Sequence, residues 1–142
     1  MEIRIDWSEL DSIGHVNHLA IMKYVQAARV NYLERIGMMP FCAASGGIGP
    51  IMASTSCQFK KELHYPGQVV VMSKAGHLKN TSFQMKHVIL NERQEVAAEA
   101  HDVIVMFDFK KRAKLPIPEQ YRRKIEALEG LDGSAPAPGG PC

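Results

Sequence analysis

Cysteine is scarce in this chain: three residues in 142 (Cys42, Cys57 and Cys142), odd in number and far apart. They form no CxxC pair, which argues against a zinc ribbon or a disulfide framework and for a reducing, cytoplasmic setting. A dominant charge sign is lacking too. Lys+Arg minus Asp+Glu is 17 − 15 = +2, so no general attraction to nucleic acid is expected. No apolar run approaches the roughly 20 residues that span a bilayer, so membrane insertion is not expected. The opening MEIRIDWSEL is polar and alternating, without the apolar stretch of a secretory leader. What remains is 46% hydrophobic and 23% charged. That suits one packed domain and is too short for two.

The periodicity changes along the chain. Ile3, Ile5 and Trp7 alternate with Arg4 and Asp6, which predicts a half-buried strand. Turn residues follow over 8–16, and Asn17 is placed to cap a helix. The helix is expected from His18 to Ile36, ended by Gly37 and Pro40. Its apolar residues cover most of its circumference, which predicts a helix wrapped by other elements. Strand patterns then dominate: Ile51 to Lys60, Val69 to Leu78, Ser82 to Leu90 and Val96 to Phe109, the last with Val103, Val105, Phe107 and Phe109 on one side. The short turns between the later strands imply antiparallel pairing. Pro116 to Leu128 reads as a short exposed helix. The domain is therefore placed at 1–129, and the Gly/Pro-rich segment 130–142 is expected to be a disordered tail.

The chemistry concentrates in Asp11-Ser-Ile-Gly-His-Val-Asn-His18. A carboxylate lies just upstream of a Gly turn that opens the apolar helix. The first amides of a helix lack intrahelical acceptors and carry partial positive charge, so one of them can hold a developing oxyanion. A carboxylate nearby can attack a carbonyl or deprotonate water. Together these are the two halves of an acyl-transfer site. The same residues also suit a plain turn and cap, with His15 and His18 simply exposed.

This octapeptide, followed by Tyr24 and Ala27-Ala28-Arg29, resembles the opening motif of the hotdog-fold thioesterases, in the hydroxybenzoyl-CoA and YbgC-like acyl-CoA branch. Phe59-Lys60 through Tyr65-Pro66-Gly67-Gln68, Lys79-Asn80-Thr81-Ser82-Phe83 and Pro116-Ile117-Pro118-Glu119 are similar to later segments of that family. The resemblance implies an α+β hotdog fold: an antiparallel sheet of about five strands, in βαββββ order, around one long central helix. It implies a homodimer with one continuous sheet, or a homotetramer, with active sites at the subunit interface. It implies hydrolysis of an acyl-CoA, with coenzyme A as part of the substrate and no separate cofactor. Asp11 matches the catalytic carboxylate, as nucleophile or general base. His18 matches the residue whose amide receives the oxyanion and whose imidazole assists. Asn17 would fix the loop, and His15 would be a hydrogen-bonding strut. Trp7 stands where some members have Tyr and would shape the acyl pocket. Lys60, Lys79 and Ser82 would meet the coenzyme. An acyl carrier protein thioesterase and a non-catalytic acyl-CoA binder are the rival readings.

Other features are set aside. His15 and His18 near Asp11 offer two imidazoles but no obvious third and fourth ligand, so no metal is expected. Cys57 sits mid-strand among apolar alternates and reads as a buried core thiol. The Gly-rich stretch 46–49 precedes a strand, so it is no phosphate loop; it reads as a flexible entry to the pocket. The basic residues Lys110, Lys111, Arg112 and Lys114, with Arg122 to Lys124, read as a solvated face.

Overall fold

The structure is a computed structural model that describes residues 1–39 and 47–131. Residues 132–142 of the expected tail, and the first glycine of the 46–49 stretch, lie outside the described residues. The chain begins with β1 (Glu2–Arg4), makes a 3-10 turn over Trp7–Glu9, and enters α1 (His18–Arg35). Four long strands follow: β2 (Ile48–Phe59), β3 (Gln68–Gly76), β4 (Ser82–Leu90) and β5 (Val96–Asp108). A two-residue strand β6 (Ala113–Lys114) and a helix α2 (Glu119–Glu129) complete the described chain. The sheet is antiparallel, in the order β1-β3-β4-β5-β2, with β6 paired to β5.

Most strand and helix ends shift by a residue or two from the sequence expectation, and three boundaries differ for a clear local reason. The first strand stops at Arg4 rather than reaching Trp7. Asp6 and Glu9 form a reciprocal capping box, the Asp6 amide donating to Glu9 Oε1 at 2.8 Å, and this draws the chain into the 3-10 turn. Trp7 is consequently 69% exposed instead of half-buried. Ile48 and Gly49, expected in a flexible entry, already belong to β2, where they pair with Asp108 and Phe107. The last helix starts at Glu119, after Pro118, and ends on Gly130 in the left-handed region at φ 74°.

The helix α1 packs on the inner face of the sheet. Ala20, Ile21, Tyr24, Val25, Ala28, Tyr32 and Leu33 form its buried stripe. The chain itself does not wrap the rest: Leu19 is exposed, and Met22, Ala27 and Val30 are half-buried. On β5 the residues turned to the core are Ala98, Ala100, Ile104 and Met106, with Asp102 in their midst, and Val105 is buried as well. Cys57 is half-buried rather than fully buried, packing on the edge of the core.

The core is divided in two. One apolar cluster includes Ile5, Ile21, Val25, Val71, Ile89 and Ala100; the other includes Tyr32, Ile36, Phe83, Met85, Ile104 and Met106. A polar row runs between them across four strands. Ser73 Oγ on β3 meets His87 Nδ1 on β4 at 2.7 Å, and His87 Nε2 meets Asp102 Oδ2 on β5 at 2.7 Å. Thr55 Oγ1 on β2 donates to Asp102 Oδ1 at 2.7 Å. Arg29 Nε donates from the helix to Asp102 Oδ2 at 2.8 Å. Burial pushes the Asp102 carboxyl up, but the hydrogen bonds from His87, Arg29 and Thr55 outweigh it and hold the group well below the usual carboxylate range.

Candidate active site

The segment from Leu10 to Val16 folds back on itself before the helix begins. Leu10 and Val16 form an antiparallel bridge, and the Asp11 amide donates to His15 O at 2.7 Å. The turn is closed by Gly14 at φ 82°, a conformation that strains any residue carrying a Cβ. Asp11 Oδ1 accepts from the amides of Ile13 and His15, both at 3.0 Å. Its other oxygen, Oδ2, takes no hydrogen bond among the described residues, and Asp11 is exposed.

Asn17 delivers the chain into the helix as expected. Its Oδ1 accepts from Ala20 N at 2.8 Å, and its own amide and side-chain Nδ2 both donate to Glu9 O at 2.9 Å. Ile21 N donates to Asn17 O at 3.3 Å. With those acceptors used, the amides of His18 and Leu19 have no partner among the described residues. Tyr24 locks the same junction, its hydroxyl donating to Glu9 Oε1 at 2.6 Å. Burial, then that hydrogen bond and the charge of Glu9, push the Tyr24 phenol up, so it stays a donor.

A cleft of about 510 Å³ opens beside this junction. Asp11, His15, Asn17 and His18 line one wall, and Phe59, Lys60 and Glu62 line the facing segment. His18 and Phe59 meet edge to face, with ring centroids 6.3 Å apart. Lys60 Nζ lies 3.5 Å from Glu99 Oε2. Five of the residues singled out from the sequence, Asp11, His15, Asn17, His18 and Lys60, therefore share one crevice.

The other three do not join them within the chain. Trp7 is not in the cleft wall. Lys79 and Ser82 close the β3–β4 connection, where Lys79 N donates to Ser82 O at 2.8 Å and Arg122 Nη2 donates to Lys79 O at 2.6 Å. On β5, Ser82 pairs with Val105 while Phe59 pairs with Ala98. Seven strand residues separate those points, roughly 23 Å. Lys79 and Ser82 thus sit at the opposite end of the sheet from Asp11.

Residues 5–125 match the thioesterase-like superfamily. The chain belongs to that superfamily. Its fold is shared with solved members. The DHNA-CoA thioesterase of Staphylococcus aureus superposes with a TM-score of 0.77 at 21% identity, covering 95% of this chain and 94% of that one. The 1,4-dihydroxy-2-naphthoyl-CoA thioesterase Slr0204 of Synechocystis superposes at 0.81 with 17% identity, covering 91% and 96%. The PA5185 protein of Pseudomonas aeruginosa superposes at 0.76 with 26% identity, covering 89% and 88%. No curated relative matches the sequence. The curled antiparallel sheet against one long helix is the hotdog fold of this superfamily.

Sequence reasoning missed two constellations that the fold assembles. One is the polar row in the core, whose members come one from each of five elements. The other is His15, Glu62 and His64 on the rim of the cleft, joined across two distant segments. The expected inertness of Cys57 has a physical counterpart: burial and the charge of Asp102 both push its thiol up, so the nucleophilic thiolate is disfavoured. No helix among the described residues is long and apolar enough to cross a membrane.

Proposed function

We propose that the protein hydrolyses an acyl-CoA thioester to a carboxylic acid and free coenzyme A. The observation that carries this reading is the Asp11 carboxylate, tied down through Oδ1 and left with Oδ2 unengaged, in the same cleft as a helix start with two unpaired amides. Asp11 Oδ2 takes a proton from water as the water oxygen bonds to the thioester carbon. The carbonyl electrons move to oxygen, where the His18 amide stabilises the charge. Collapse re-forms the carbonyl and expels the thiolate, which receives the proton held by Asp11, directly or relayed through the His18 imidazole. Direct attack by Asp11 gives the same products through a mixed anhydride that water then cleaves.

The exposed edge of the sheet supports a two-subunit site. β2 is the last strand in the order and has a free edge among the described residues. Its inward residues Met52, Thr55 and Phe59 are exposed in the single chain. We take a second copy to pair there, antiparallel and two-fold. Such pairing brings the Ile48 end of one β2 beside the Phe59 end of the other. That is the end where Lys79 and Ser82 of the partner subunit lie, so coenzyme contacts from them would be supplied across the interface. Sedimentation should give at least twice the mass of one chain; a monomer at assay concentration would remove this arrangement.

The activity is tested by thiol release over a panel of aliphatic and aromatic acyl-CoA esters, with matched acyl carrier protein esters alongside. Turnover of at least one CoA ester is expected. Faster cleavage of the carrier-bound esters would move the assignment to a carrier protein thioesterase. Binding without thiol release from any ester would leave a non-catalytic acyl-CoA binder.

A further inference from the structure

The rim of the cleft carries three donors that the reaction above does not use. His15 and His64 face each other as an antiparallel bridge pair, their rings 5.0 Å apart and nearly perpendicular. Glu62 lies two residues before His64, on the same side of its extended segment. Its Oε2 is 3.2 Å from His15 Nε2 and 3.7 Å from His64 Nε2. One ligating atom from each of the three falls within 4.8 Å of the others. The backbone holds both segments in place: Val16 N donates to Leu63 O at 2.9 Å, and the His15 amide is held by Asp11 Oδ1 at 3.0 Å.

We propose that His15, Glu62 and His64 form a binding site for one divalent transition-metal ion of the zinc, cobalt or nickel type. A tetrahedral ion with bonds of about 2.0–2.2 Å needs its ligand atoms about 3.3–3.6 Å apart. The two Glu62 distances, 3.2 and 3.7 Å, bracket that edge, and the three ligand atoms all lie within 4.8 Å of one another, within reach of side-chain rotation. Two imidazoles and one carboxylate are the donor set of borderline ions, whereas magnesium and calcium take oxygen donors. His15 is the most enclosed of the three, with its side chain 26% exposed, while Glu62 and His64 are 64% and 60% exposed. The open side leaves room for water as the remaining ligand. The sequence hides the site because Glu62 and His64 are far from His15 along the chain. Asp11 and His18, which lie near His15 in sequence, are not part of the set.

The experiment titrates the metal-free full chain with Co²⁺, following visible absorption and heat, and then displaces it with Zn²⁺. One ion per chain is expected, with the absorption of a four-coordinate cobalt site. Glu62→Gln and His64→Ala should each weaken binding by roughly tenfold or more, since one of three donors is lost. His101→Ala, on a strand not in the set, should leave binding unchanged. Both variant sites are exposed, and an unchanged denaturation midpoint checks that the fold survives. Absence of a one-to-one site, or affinity that persists in His64→Ala and Glu62→Gln, overturns the assignment. Because the readout is metal binding and not thiol release, failure here leaves the thioesterase reading untouched.

Discussion

Asp11→Asn is expected to lower kcat/KM for the best thioester by on the order of 10²- to 10⁴-fold, the range supplied by a positioned acid–base group. Asparagine keeps an Oδ1 that can accept from the amides of Ile13 and His15. The turn is therefore retained, and what is lost is the negative charge and the proton acceptor at the second oxygen. Denaturation midpoint and oligomer mass should stay at the wild-type values while thiol release collapses. Wild-type turnover in Asp11→Asn would show that the carboxylate takes no part in the reaction and that Asp11 only shapes the turn.

The largest stability effect is expected at Asp102. Its side chain is fully enclosed and takes hydrogen bonds from Arg29, Thr55 and His87. Truncating one partner of a buried charged network strands the others, at a cost of about 3–5 kcal/mol. Asp102→Ala leaves Arg29, with a side chain only 13% exposed, without its carboxylate inside the core. Against a typical total of about 5–15 kcal/mol, that is a large fraction, and it should be read directly from denaturant unfolding. A loss below about 1 kcal/mol would mean that the row contributes little net stability.

The pH dependence follows from the sign of the shift. The folded carboxyl of Asp102 is held below its unfolded value of about 3.9. Its contribution is complete above that value and is lost progressively as pH falls toward the folded pKa. The stability gap between wild type and Asp102→Ala should therefore be widest near neutrality and narrow below about pH 4. A gap independent of pH down to strong acid would point to packing rather than charge as its source.

The local parts of this molecule were legible without coordinates. Asn17 caps the helix because its side chain needs only the amide three residues on, and Ser82–Leu90 was bounded correctly because its alternation is unbroken. The Asp11 turn could be read because its hydrogen bonds close within four residues. Trp7 was misplaced because alternation alone cannot detect a capping box that bends the chain. The burial of Asp102 could not be read from the chain, because a lone acid in a strand ordinarily marks the outer face.

From the chain alone came the order of elements, the polar turn that opens the helix, and the carboxylate a few residues upstream of the helix start, since all of these depend on neighbours close in sequence. Only tertiary structure decided that Asp102 is buried with Arg29 and His87, that Glu62 and His64 meet His15, and that Lys79 and Ser82 sit at the far end of the sheet. Those relations are set by strand register and by the packing of the helix on the sheet, which join residues distant in sequence and leave no periodic trace in it.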